Sequence, residues 1–449
     1  MAKGTVGFIT LVFCSMASGA VTFDRDVAPI LYAKCTGCHH ANDIAPMSLM
    51  DYKAARPWAK AMREAVLLKR MPPWFADPHS GPFSNDPSLT DAERQTIVQW
   101  VDGGALEGEL RDLPAAPVYA EGWRIGKPDA IFDIGEDHIL KGDAADQYIS
   151  FTVPTNFTGG HWIQAVEIRP GNRKLVHHAH VSVIDAAAPK RTAVAPKSPT
   201  FADFTFNGAD HLRHMRAESP VVDDACAYDG PEIAGLKRAA PGALVSYLPG
   251  MPPDIYPPDS AKWIPAGAQL RFTIHYHSES KDAVSDRTSV GLVFAAAAPA
   301  HPIHRMDVDN DFFAIPAGDG NHEVRQCATF DADSLILSLT PHMHFRGKDA
   351  RFEIKRPGET PETLLYVPKY DFNWQLKYRE QTGVFVPKGS RLMITFHYDN
   401  SANNAANPDA GKVVRWGEPS AEEMMSGWID YIDAPGEDIG PRMHANARE

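Results

Sequence analysis

Residues Cys35-Thr36-Gly37-Cys38-His39 constrain this chain more than any other stretch. A C-x-x-C-H run is the attachment sequence of c-type haem: two thiols form thioethers to the vinyl groups, and the adjacent imidazole ligates iron. The motif fixes a cofactor and commits the chain to one-electron chemistry. It also fixes a compartment, because haem c is attached outside the cytoplasm. A pair of zinc-ligating cysteines is the competing use of the same spacing.

The N-terminus agrees with that compartment. Lys3 supplies a modest positive charge, Val6 to Met16 a short apolar run, and Ser18-Gly19-Ala20 small residues for cleavage, so residues 1–20 read as a signal peptide. The expected location is periplasmic or secreted. No apolar run approaches the ~18 residues of a membrane span. Cys14 lies inside the apolar run and is expected to be discarded with it. Four of the five cysteines then remain. Haem uses two, leaving Cys226 and Cys327 for at most one disulfide, so stability must come from cores. The net charge of −13 argues against nucleic-acid or anionic-membrane partners. A length of 449 residues suggests about three domains.

The first domain is expected within residues 22–108. Asp24 to Lys34 reads as a helix leading into the motif, and Ala54 to Lys69 has helical spacing of Ala, Met, Val and Leu. Thr90 with Glu93 forms a capping box opening a third helix through Trp100 and Val101, stopped at Gly103-Gly104. Three helices around C-x-x-C-H resemble a small class I cytochrome c. The resemblance implies a methionine as sixth iron ligand in the loop between the second and third helices. Met71, in Met71-Pro72-Pro73-Trp74, is favoured, and Met47, in Ala45-Pro46-Met47, competes. A His/Met pair raises the potential and suits electron transfer. His40 reads as a solvent-facing neighbour.

Leu113-Pro114-Ala115-Ala116-Pro117 marks a linker over 109–120. Beyond it, short alternating runs such as Tyr148-Ile149-Ser150-Phe151-Thr152-Val153 and Gln269-Leu270-Arg271-Phe272-Thr273-Ile274 recur between turn residues. That texture predicts all-β antiparallel sandwiches of jelly-roll type. An Ala/Pro stretch from Ala295 to Pro302 divides them into 121–298 and 302–436, with a tail over 437–449. The expected fold is therefore multidomain: a small all-α haem domain followed by two all-β sandwiches.

Nineteen histidines form a second constellation. His177-His178-Ala179-His180, His275-Tyr276-His277 and His342-Met343-His344 all fall at ends of strand-like runs. Residues i and i+2 of a strand share a face roughly 6.6 Å apart, so an H-x-H pair can chelate one ion. Neutral imidazole suits copper, zinc, iron or nickel, and spacing alone does not choose among them.

The arrangement over roughly residues 145–432 resembles the copper type II, ascorbate-dependent monooxygenases, the family of peptidylglycine α-hydroxylating and dopamine β-monooxygenases. The resemblance implies two coppers, one per sandwich. The first would take His177, His178 and His275. The second would take His342 and His344, ahead of Phe345-Arg346-Gly347-Lys348, with Met424 as thioether ligand. Met425 is adjacent and chemically equivalent; register with Glu422-Glu423 favours Met424. In regular geometry His177 and His178 point to opposite faces, so joint ligation requires a bulge or a strand end. His180 and His277 read as surface or neighbouring residues and His397 as structural, while His211 and His214 have no supporting context. Where the peptide-hydroxylating relatives hold a carboxylate with Arg and Tyr, this chain has Thr340 and Trp428, so a less charged or aromatic substrate is expected. The resemblance thus implies a dicopper monooxygenase acting on a C–H bond of a small organic substrate with O2. The catalytic copper would sit at His342, His344 and Met424. Haem c at Cys35, Cys38, His39 and Met71 would pass electrons from an external donor, either an ascorbate-like reductant or a redox protein. An electron-transfer or copper-binding protein without hydroxylase activity is the alternative.

Overall fold

A computed structural model describes residues 19–41, 43, 45–119, 122–141, 147–185, 242–248, 251–257, 259–276, 281–417 and 419–434. Almost all of the expected signal segment, the tail over 437–449, and residues Cys14, His211, His214, Cys226 and His277 lie outside that set. The described chain is mostly β-sheet with few helices. It divides into two compact units, one holding Met1–Pro72 with Ser88–Val118, the other Pro73–Pro87 with Tyr119–Glu449.

The first unit is helical. Helix Ala28–Lys34 leads into the C-x-x-C-H turn, and helix Asp91–Asp102 opens with both hydrogen bonds of the Thr90/Glu93 capping box. The run expected as one helix from Ala54 to Lys69 is divided into Tyr52–Ala55, a tight turn at Arg56–Trp58, and Ala59–Leu67. Pro57 lacks an amide donor, which accounts for the break. Phe23, Leu31, Met62 and Trp100 form the core, with Phe23 5.9 Å from Trp100 between ring centres.

Residues 73–87 do not belong with these helices, so the expected continuous domain over 22–108 is interrupted. Within the second unit, Asp77 N–H donates to the Tyr366 carbonyl at 2.7 Å and Ser84 N–H to that of Arg379 at 2.8 Å. Trp74 and Phe83 close on the buried Tyr378 ring at 4.9 and 5.5 Å. Burying these aromatic faces against a sheet accounts for where the segment rests.

The second unit contains two sandwich layers pairs. The first core lies between an antiparallel sheet ordered Gln147–Pro154, Gln269–Tyr276, Val176–Ile184, Ala243–Tyr247, and strands His161–Arg169 and Ser289–Phe294 of a larger sheet. The second core lies between strands His301–Asp309, Ser426–Asp433, Ser334–His342 and Tyr378–Val386 of that same larger sheet and a four-stranded sheet running from His322–Thr329 to Glu362–Val367. The larger sheet is therefore shared. His301 and Pro302 pair in parallel with Ser260 and Ala261, so the Ala/Pro stretch expected as a plain separator delivers its last residues into the joint. Cys327 is disulfide-bonded and buried; Cys226 lies outside the described residues.

A buried ion cluster crosses from the first sandwich to the second. Lys262 Nζ reaches Asp430 at 3.0 Å, Lys377 Nζ reaches Asp254 at 2.9 Å and Asp430 at 3.2 Å, and Arg379 reaches Asp254 at 2.6 Å. Burial alone would raise both carboxyls, but the cations outweigh it: Lys377 leads at Asp254 and Lys262 at Asp430, and both fall below the usual range. Their contribution to stability is present above the unfolded value of about 4 and is lost as pH falls below it. Removing one partner strands a buried charge. Lys377→Met is expected to lower unfolding stability at neutral pH by about 3–5 kcal/mol in denaturant titration; an unchanged midpoint would show that the cluster is not closed.

Candidate metal centres

In the first unit, Cys38 N–H and His39 N–H both donate to the Cys35 carbonyl, at 3.2 and 3.0 Å, so the motif occupies a single turn. Both cysteines are thiols, and burial pushes that of Cys35 up to about 12. His39 Nδ1 lies 3.3 Å from the Met47 carbonyl. A proton on Nδ1 donates there and leaves the Nε2 lone pair as the ligand. Two thiols one turn apart and an anchored imidazole fit covalent haem. The Met47 side chain packs on the unit's core, whereas Met71 is exposed.

In the second unit, His177, His178 and His275 come together from two neighbouring strands. The register shifts between Val176 and His178, so His177 is the extra residue of a bulge. This irregularity lets consecutive histidines face one point. Their Nδ1 atoms are 3.2 Å (His177–His178), 3.2 Å (His177–His275) and 3.4 Å (His178–His275) apart. Nitrogens at that spacing could share one metal ion at the ~2.0–2.1 Å of a metal–imidazole bond. Burial, then the neighbouring imidazoles, holds His178 well below its ordinary value and so keeps it neutral. Tyr148 stacks on His275 with ring centres 4.2 Å apart at 10°. These side chains fit a three-imidazole metal centre.

His342 and His344 lie at the end of strand Ser334–His342, with rings 5.2 Å apart. His342 Nδ1 is 2.5 Å from Gln375 Oε1, so it donates there and leaves Nε2 available. His344 Nδ1 lies 3.0 Å from the Glu422 carbonyl. Burial holds His344 down to about 4, with the Glu422 and Pro419 carbonyls opposing. Glu423 fixes the turn between the strands by accepting from His344 N–H at 2.8 Å and Arg346 N–H at 2.7 Å. Met425 is buried in the second core. The Trp428 ring stacks on His342 at 4.8 Å. Ser426 pairs with His342 and Trp428 with Thr340, and Met424 lies two residues ahead of Ser426 in the chain. Two imidazoles with a thioether would fit a soft metal ion.

One layer of side chains separates the two sets. The Phe372 ring is 5.7 Å from His178 and 5.9 Å from His344. The His180 ring is 5.5 Å from His178, 5.5 Å from Trp428 and 6.4 Å from His342. His180 Nδ1 meets Ser246 Oγ at 2.8 Å, and burial lowers the ring to about 4. It stands between the centres rather than in either. His397 pairs with Asp349 at 2.8 Å and Glu323 at 3.4 Å, a structural role as expected. His40 holds the Thr36 carbonyl at 2.8 Å and Asp43 at 3.5 Å; it is largely covered rather than facing solvent.

Phe372, Gln375, Tyr148 and Glu423 carry no motif that singles them out. Gln375 follows Asp371-Phe372-Asn373-Trp374, a stretch that reads only as a turn. No protein-family model matches the chain, and no curated protein matches it. Among solved structures it is similar to the major capsid protein P2 from Bacteriophage PM2, at 8% identity over 69% of this chain and 98% of that one, with a TM-score of 0.23. Likeness at that level carries no argument.

Gln375→Leu removes the acceptor that aims His342 and keeps similar volume. Metal affinity at the His342/His344 centre should fall about 10–100-fold while that of the His177/His178/His275 centre holds. Chelator competition on the full chain reads both; equal loss at both centres would point to misfolding instead.

Proposed function

We propose that the chain is a dicopper monooxygenase with a built-in haem c, inserting one atom of O2 into a C–H bond of a small organic substrate. The observation that supports it most is the convergence of three Nδ1 atoms at metal-bond spacing, one side-chain layer from a second, chemically different ligand set. Copper at His177, His178 and His275 suits storing and passing an electron. His342, His344 and Met424 favour the cuprous state that meets O2. Met47 engages His39 Nδ1 through its carbonyl, which supports Met71 as the residue that would serve as sixth ligand. Thr340 and Trp428, which pair across the ladder, stand where the resemblance would put carboxylate-binding residues, which supports a less charged or aromatic substrate. The signal-like residues 1–20 and the haem motif support a periplasmic or secreted location. Among the described residues no helix is long and apolar enough to cross a membrane. The electron donor is an ascorbate-like reductant or a redox protein.

A second reading has an observation of its own. His342 and His344 are only 6% and 2% exposed, which suits a centre that exchanges electrons without admitting substrate. One experiment separates the two. Protein loaded with haem and copper is reduced without oxygen, then given ¹⁸O2 with a panel of small aromatic and apolar compounds. The monooxygenase reading expects a product carrying one labelled oxygen, absent with His344→Ala. Reoxidation of haem and copper with no labelled product would support the electron-transfer reading.

A further inference from the structure

We propose that a cavity at the joint of the two sandwiches binds a small aromatic carboxylate, the Arg305 guanidinium taking the carboxylate and the Trp162–Trp263 pair the ring. The site goes beyond the redox reading above and does not depend on it.

Parallel pairing between strands Ser260–Ile264 and His301–Asp309 covers only His301 with Ser260 and Pro302 with Ala261. The next residues on both strands, Lys262 and Trp263 on one and Ile303 to Arg305 on the other, line a cavity of about 310 Å³. That volume is at the small end for ligand pockets and suits a single ring. Val183, Leu244 and Ile303 give it an apolar wall, and none of its described lining residues belongs to either histidine set. Trp162 and Trp263 pair across the ladder, with ring centres 4.7 Å apart at 52°. Trp263 stays 40% exposed, yet its ring is seated: a Cβ on Gly160 would overlap it. Two indoles fixed beside each other at a cavity offer a bound ring their faces and edges.

Arg305 supplies the charge. Its side chain is only 9% exposed, and its guanidinium lies 4.6 Å over the Trp428 ring. Nε donates to Asp307 Oδ1 at 2.7 Å, and among the described residues no other hydrogen bond reaches the guanidinium. The two terminal nitrogens are left for a ligand, and such a planar fork matches a carboxylate. The charge around it is unbalanced. Arg305 pairs in register with Asp430, which joins it to the buried ion cluster. The cations Lys262, Lys377, Arg379 and Arg305 then stand against the carboxylates Asp254, Asp430 and Asp307, four against three. His304, the other basic side chain of the lining, is 3.7 Å from Asp433, and that pair is exposed enough for solvent to screen it. An uncompensated buried charge is costly, and a monoanion in the cavity offsets it. One net charge, a flat fork and room for one ring select an arene monocarboxylate over a phosphate ester or a neutral sugar.

The test is calorimetric titration of the full-length protein at neutral pH with benzoate and with benzamide, its uncharged counterpart of the same shape. Each is titrated into copper-loaded and chelator-stripped protein. Benzoate is expected to bind saturably at one site per chain, alike with and without copper, and benzamide about tenfold or more weakly. Arg305→Gln should weaken benzoate about tenfold or more and leave benzamide unchanged. Trp263→Ala, at a half-exposed ring, should weaken both about fivefold. Where Arg305→Gln does not fold, Trp263→Ala with the benzamide comparison decides. Absence of saturable benzoate binding would overturn the site, as would equal affinity for benzamide or full affinity in Arg305→Gln. Benzoate binding that chelation abolishes would also overturn it, because the ligand would then sit on a metal centre.

Discussion

Asp430 is the group on which the arrangement of the second unit depends. It takes Lys262 from the first sandwich and Lys377 from the second, and Asp254 returns the connection through Lys377 and Arg379. Buried charges of this kind add little net stability over apolar packing, but each fails badly without its partners. The cluster therefore fixes one relation between the sandwiches rather than simply holding them together. With that relation set, Phe372 and His180 fill the space between the two histidine sets. A shift along this seam would alter the separation of the sets before it disturbed either one.

The two sets differ because their backbones differ. A bulge at His177 gathers three imidazoles from adjacent strands, with every Nδ1 turned inward. At the other set a strand ends at His342, and Gln375 and the Glu422 carbonyl occupy the Nδ1 atoms instead. Glu423 carries the cost of that turn. Burial pushes its carboxyl up to about 8 even though the backbone N–H groups of Arg346 and His344 pull the other way. The opposite use of the ring nitrogens is a consequence of where each strand bends.

Much of this was legible because side-chain period is a local property. The alternation in Tyr148 to Val153 and in Gln269 to Ile274 becomes paired strands, and consecutive histidines at 177 and 178 require the irregularity that the ladder shows. What was hidden depends on distant partners. Nothing in Met71-Pro72-Pro73-Trp74 announces that the next fifteen residues pack on a β-sheet, since the aromatic faces that capture Trp74 and Phe83 lie some three hundred residues away. The Ala/Pro run before His301 reads as a separator because its composition disfavours strand, yet backbone pairing needs no particular side chain there. Gln375 was invisible for the same reason: an amide in a turn gains its role only from the His342 that the fold brings to it.

The central claim is that this chain holds two metal ions at unlike centres, and copper titration of the full-length protein with X-ray absorption on the loaded state tests it most directly. The account predicts two coppers per chain, one bound by nitrogen alone and one with a sulfur neighbour that disappears in Met424→Ala. A single copper per chain, or two with no sulfur neighbour, would contradict it.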